Sequence, residues 1–153
     1  MNWSDLNLMP AMPEIVLLAL LGVVLLADLW ICDKNRYLTH LMSLGTVIVV
    51  AITQLAVWEQ GSIDAFHGMY IADGMSRLAK LVLYALTFGL FIYSKPYNQD
   101  RQIFKGEFYT LSLFALLGMS VMVSSAHFLT AYIGLELLSL SLYAMIALRR
   151  DSG

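Results

Sequence analysis

From His127 to Leu148 the chain reads HFLTAYIGLELLSLSLYAMIAL, an apolar run with one acid, Glu136, near its middle. At about 1.5 Å of rise per residue a run of this length crosses the roughly 30 Å hydrocarbon layer of a bilayer, so it is predicted to be a transmembrane helix. A charged acid near the midplane costs between about 2.5 and over 10 kcal/mol, and such a group needs a reason. At about 100° per residue Tyr132, Glu136, Ser139 and Tyr143 fall in one sector, while Leu135, Leu137, Leu138 and Leu142 occupy much of the remaining surface. Low dielectric favours the neutral carboxyl and a nearby cation favours the charged one, so a Glu136 held between the two can take and release protons. The alternative is a protonated Glu136 that hydrogen-bonds a neighbouring helix as packing glue.

Four more apolar stretches precede this one, giving predicted spans at 15–31, 37–58, 76–94, 108–124 and 127–148. With 59% hydrophobic and 13% charged residues and a mean hydropathy of +0.73, an ordinary soluble domain is excluded. The expected fold class is all-α, a polytopic transmembrane helix bundle of five spans. The first fourteen residues hold Asp5 and Glu14 without Lys or Arg, unlike the positively charged start of a secretory signal. Pro13 and Glu14 suit a helix entrance, where unpaired N–H groups tolerate proline and favour an acid. Asp28, about one turn from the far end of the first span, is expected to reach the headgroup region.

Tyr37 and Trp58 read as interfacial anchors of the second span. The connection from Glu59 to Met75 is acidic, and Asp73 or Ser76 is positioned to cap the third helix. Lys80, in the second turn of that helix, is shallow enough to snorkel to the surface; the alternative places Lys80, Tyr84 and Thr87 along a polar path. KPYNQDRQIFKGE, Lys95 to Glu107, is the clearly hydrophilic internal loop, and Pro96 is expected to stop the helix before it. Four residues, Ser124 to His127, separate the predicted core of the fourth helix from the fifth, which makes the two a tight antiparallel pair. His127 reads as a solvated turn histidine or as a group at the mouth of a proton path.

Lys34 and Arg36, then Lys95, Arg101 and Lys105, then Arg149 and Arg150 follow the first, third and fifth spans. The positive-inside rule makes that side cytoplasmic and the N-terminus external. The lone Cys32 rules out an intrachain disulfide, and no spacing of Cys and His suggests a metal or iron–sulfur site. No phosphate loop, nucleotide fingerprint or catalytic triad is present. Glu136 has no Lys or Arg at its own depth, since Lys80 lies near the outer surface, so its partner is expected in further sequence or another subunit and the chain reads as a fragment.

The segments Gly106 to Ser152 and Met69 to Tyr84, and above all the string GLELLSLSLY around Glu136, closely resemble subunit N of the bacterial proton-translocating NADH:quinone oxidoreductase, respiratory complex I. The resemblance runs over essentially the whole chain and covers the first third of that family's length. It implies an N-terminal portion, residues 1–153, of a fourteen-helix, antiporter-like subunit in the membrane arm, multi-pass in the bacterial inner membrane with a periplasmic N-terminus. It implies that Glu136 is the fifth-helix glutamate, paired with a lysine on a broken seventh helix that lies beyond Gly153. It also implies no cofactor in this chain, with NADH, FMN, iron–sulfur clusters and quinone held by other subunits. Partners would be the other membrane and peripheral subunits and the lipid bilayer, with no nucleic acid. Rival readings are a subunit of a multi-subunit cation/proton antiporter and a non-catalytic structural or assembly protein.

Overall fold

The computed structural model describes residues 8–30, 36–58, 63–66, 68–100 and 106–150. A short 3-10 turn, Met9–Ala11, leads into α1 (Met12–Trp30), followed by α2 (Arg36–Ala56), β1 (Ile63–Ala65), β2 (Tyr70–Ala72), α3 (Gly74–Asp100), α4 (Gly106–Val123) and α5 (Phe128–Arg150). Five helices are long and apolar enough to cross a membrane, as the hydropathy pattern requires, and they pack as a polytopic bundle. Cys32, Lys34, His67, Arg101 and Lys105 lie outside the described residues.

Two features depart from the sequence reading. Helix α3 does not stop at Pro96 but runs on to Asp100. Proline removes one N–H and crowds the carbonyl four residues back, but leaves the other hydrogen bonds of the turn in place. The apolar part of the helix ends at Ser94, and the polar residues beyond it continue the same helix. The acidic connection, read as a loop, contains an antiparallel hairpin in which Ile63 pairs with Ala72, Asp64 with Ile71 and Ala65 with Tyr70. Its turn is made possible by Gly68 at φ 81°, a backbone conformation that costs glycine nothing. Phe66, at φ 51°, accepts the same left-handed region with a side chain.

The hairpin is tied down on both sides. Ile71 N–H donates to the Ser124 carbonyl at 2.9 Å and Ala126 N–H donates to the Met69 carbonyl at 3.0 Å, which join β2 to the turn between α4 and α5. Asp73 and Ser76 then start α3 with a reciprocal cap: Ser76 N–H donates to Asp73 Oδ1 at 2.8 Å and Asp73 N–H donates to Ser76 Oγ at 3.1 Å. The Ser76 amide, aimed at the carboxylate, holds the Asp73 pKa below its usual range.

Helix α4 is the centre of the bundle and touches the other four helices. Its span is 56% buried, against 11% for that of α5, which packs mainly on α4. Leu17, Leu21 and Val24 of α1 recur at helical spacing and meet Val47 and Val50 of α2, Phe91 of α3, and Leu113 and Leu116 of α4 in the core. At the opposite end of α1, Asp28 is half-buried. Its Oδ1 accepts a hydrogen bond from Thr39 Oγ1 of α2 at 2.8 Å, and a Cβ on Gly106 would overlap its carboxylate. Asp28 is thus turned inward against the first residue of α4, where free helix amides favour an acid.

Lipid is as apolar as leucine, so helices in a membrane gain from close packing more than from burial. The α4–α5 seam shows this at Gly118 and Gly134. A Cβ on Gly118 would lie 2.7 Å from the Gly134 carbonyl oxygen, and one on Gly134 would lie 2.8 Å from that of Gly118. Both obstacles are backbone, so neither side can yield without parting the helices. Gly118→Ala and Gly134→Ala should each destabilise the pair by about 1–3 kcal/mol. Gly22→Ala, where the added methyl meets open space, should be neutral or stabilising by up to about 1 kcal/mol. Thermal denaturation in detergent ranks the three, and equal melting temperatures would contradict the close crossing. At the cap, Asp73→Ala should weaken the first turn of α3 by about 1 kcal/mol, with Asp73→Asn retaining most of it. Because the folded carboxylate has a depressed pKa, its contribution is present above the unfolded value and is lost as pH falls through the folded one. Amide exchange over Gly74 to Arg77 should therefore accelerate at strongly acid pH in the wild type and show no such acid dependence in Asp73→Asn.

Candidate functional site

Glu136 sits in the middle of α5 on the face turned away from α4. The side of α5 that meets α4 carries Gly134 and the buried Ser141, whereas Tyr132, Glu136 and Tyr143 are exposed. Tyr132 lies beside the Glu136 carboxylate, one turn earlier. Ser139, also expected on this polar face, turns its hydroxyl back to the Leu135 carbonyl at 2.8 Å. The acid therefore does not point into the five-helix bundle. It lies on an open helix face, with a phenol alongside, where an approaching cation can reach it.

Lys80 differs from the snorkelling side chain expected from its shallow depth. It is fully buried, and its ammonium is paired with the Glu14 carboxylate of α1. Lys80 Nζ also donates to the Tyr70 hydroxyl at 2.6 Å, and Tyr70 in turn donates to Glu14 Oε2 at 2.9 Å, with the Pro10 carbonyl 3.1 Å away. Snorkelling is favoured only where water is the best partner within reach. Here the start of α1 brings a carboxylate, and the hairpin covers the way out. Burial, and after it the negative field of Glu14, raise the Tyr70 pKa above the usual phenol range, so the group remains a neutral O–H. Arg77, one turn earlier on α3, is also buried and donates from Nη2 to the Ala72 carbonyl at 3.0 Å.

His127 is exposed at the start of α5 and has a local task. Its Nδ1 accepts from the Leu129 N–H at 3.2 Å and its carbonyl from the Ala131 N–H at 3.1 Å, so it caps the helix that carries Glu136. The three sequence candidates are therefore not assembled into one site: Glu136 faces outward, Lys80 is enclosed between α1, α3 and the hairpin, and His127 ends a helix. Glu14 and Tyr70 are the residues that sequence reasoning did not connect with Lys80. The available signal was topological. α1 and α3 run in the same direction, so an acid in the first turn of one and a lysine in the second turn of the other come to similar depth.

No family model matches the chain. Among curated proteins, NADH-quinone oxidoreductase subunit N of Neisseria gonorrhoeae is 76% identical over 153 residues, all of this chain and 32% of that protein. The subunit N of Laribacter hongkongensis is 51% identical over 152 residues, 99% of this chain and 31% of its own length. That of Thioalkalivibrio sulfidiphilus is 47% identical over 152 residues, again 99% of this chain and 32% of the relative. The chain thus spans about a third of the length of the curated relatives it matches. Every element described above, including both charge sites, lies within the matched region, and the family to which the chain belongs is that of NADH-quinone oxidoreductase subunit N.

Proposed function

We propose that this chain forms part of a proton-translocating membrane subunit of a bacterial NADH-quinone oxidoreductase, in which Glu136 carries a proton within the membrane. The observation that carries the reading is the open placement of Glu136: a carboxyl halfway along a spanning helix, on the face that the bundle leaves uncovered. Intramembrane acids are costly and tend to mark proton or ion pathways. A carboxyl used only as glue within this bundle would face α4, and Glu136 faces away from it. The relatives' name, NADH-quinone oxidoreductase subunit N, supports membership of a complex that oxidises NADH and reduces quinone.

In this mechanism a cation on an adjoining element approaches Glu136, stabilises its carboxylate and lets its proton leave; withdrawal of the cation favours the acid again. Tyr132 is placed to hold the carboxyl by a hydrogen bond in either state. NADH, FMN, iron–sulfur and quinone chemistry is assigned to other subunits, which are the partners of this one together with lipid. The bacterial inner membrane is the site of action, and the clustering of Lys and Arg beyond the apolar parts of the first, third and fifth spans supports a periplasmic N-terminus.

The test is Glu136→Gln in the complete subunit within the assembled complex. Glutamine keeps the size and hydrogen-bonding ends of the side chain but cannot ionise. Assembly should be unchanged, and the number of protons moved per NADH oxidised should fall. Normal pumping by an assembled Glu136→Gln complex would remove Glu136 from the mechanism.

A further inference from the structure

Lys80, Tyr70 and Glu14 form a closed ring of polar contacts inside the membrane-spanning bundle. The ammonium donates to the Tyr70 oxygen at 2.6 Å, the Tyr70 O–H donates to Glu14 Oε2 at 2.9 Å, and Glu14 Oε1 closes the ring on Lys80. Two short hydrogen bonds in sequence permit a double proton shift. Lys80 N–H breaks as a new O–H forms on Tyr70, and the original Tyr70 O–H breaks as one forms on Glu14. No electrons move and the total charge is conserved. The charged pair becomes an amine and a carboxylic acid, and low dielectric reduces the difference in stability between these two forms.

A purely structural clamp needs nothing beyond these three groups, yet one helical turn deeper on the same face of α3 lies Tyr84. It is 1% exposed, and its hydroxyl has no hydrogen-bond partner among the described residues. Positions four apart on a helix are neighbours, and the Tyr84 hydroxyl lies within the electrostatic reach of Glu14. Phenylalanine would fill the same space without the cost of a buried, unpaired hydroxyl. Lys80, Tyr84 and Thr87 recur at steps of four and three, so the three side chains leave α3 on one face.

We propose that Glu14 and Lys80, bridged by Tyr70 and approached through Tyr84, form a second proton-holding site in this chain, separate from Glu136. In its neutral form the Lys80 amine accepts a proton arriving past Tyr84, and Glu14 gives one up at the hairpin end, restoring the ion pair. One proton enters and one leaves. The charged and titratable groups that face the pair are Tyr70 from the hairpin and Arg77 and Tyr84 from α3, with Asp73 beyond Arg77. Arg77 keeps its charge throughout and is held by the Ala72 carbonyl, so the exchanging proton belongs to the Glu14–Lys80 pair.

The experiment is an infrared pH-jump measurement on the assembled complex containing the complete subunit. A carboxylate change should appear in the wild type and be lost in Glu14→Gln. It should remain in Tyr84→Phe but develop more slowly, on the order of tenfold or more, as expected when a positioned proton-transfer group is removed. A clamp with no proton traffic predicts the opposite for Tyr84→Phe, which deletes only an unpaired hydroxyl: unchanged kinetics and equal or better stability. Identical spectra for wild type and Glu14→Gln, or an unchanged rate in Tyr84→Phe, overturn the proposal. Should Glu14→Gln not assemble, the Tyr84→Phe rate decides alone. The same measurement in Glu136→Gln separates the two readings. A retained Glu14 signal with normal pumping refutes the role of Glu136 and supports this site, whereas loss of Tyr84 dependence there overturns this site whatever the pumping.

Discussion

A lysine ammonium enclosed in a membrane-spanning bundle must find an acid, and much of the arrangement at the N-terminal end of this chain follows from Lys80 finding Glu14. Removing one member of such a pair leaves an uncompensated buried charge, at a cost of about 3–5 kcal/mol. The pairing fixes α1 against α3 near their starts. It also draws in Tyr70, and with Tyr70 comes the β2 strand, whose backbone is bonded to the turn between α4 and α5. A single electrostatic requirement thus brings together the first turn of α1, the hairpin, the first turns of α3 and the approach to α5. Distance from the chain start predicts none of these contacts.

The two charge sites solve the same physical problem in opposite ways. Glu14 and Lys80 satisfy each other within the chain and are covered by the hairpin. Glu136 is offered on the outside of the bundle with only Tyr132 beside it. The first arrangement lets a proton shift along fixed hydrogen bonds with little movement of heavy atoms. The second, in the proposed mechanism, requires another element to approach or withdraw. Proton movement at the first site would therefore depend on bond geometry within the bundle, and at the second on the position of a neighbour.

The five spans were legible because the length and apolarity required to cross a bilayer leave few alternatives, and the sector shared by Tyr132, Glu136 and Tyr143 on α5 followed from helical periodicity, whereas its direction away from α4 did not. Asp73 was legible as a cap because its partner, Ser76, is local. What sequence missed depends on tertiary neighbours. Lys80 looked like a snorkelling side chain because depth can be counted along one helix, whereas a partner on α1 cannot. The hairpin was hidden because its strands are three residues long and gain much of their support from the Ser124 region. Pro96 was weighted as a stop although one missing donor does not end a helix whose other bonds remain. The Gly118–Gly134 crossing was readable in principle: the two glycines are equidistant from Ala126, in the turn, and residues so placed on antiparallel neighbours lie opposite one another.

That crossing also decides how load is carried between α5 and the bundle. Helix α5 is fastened mainly along its α4 side, with backbone against backbone at the glycines, and the face that carries Glu136 is exposed. It works as a keel rather than as a wall. A neighbour can come to rest against the keel without prising apart any packed side chains of the core, so the energy of that docking is nearly independent of the energy that keeps the bundle folded. The surroundings of the acid on the keel can then be rebuilt, exchanged or repeatedly made and broken while the bundle itself stays as it is.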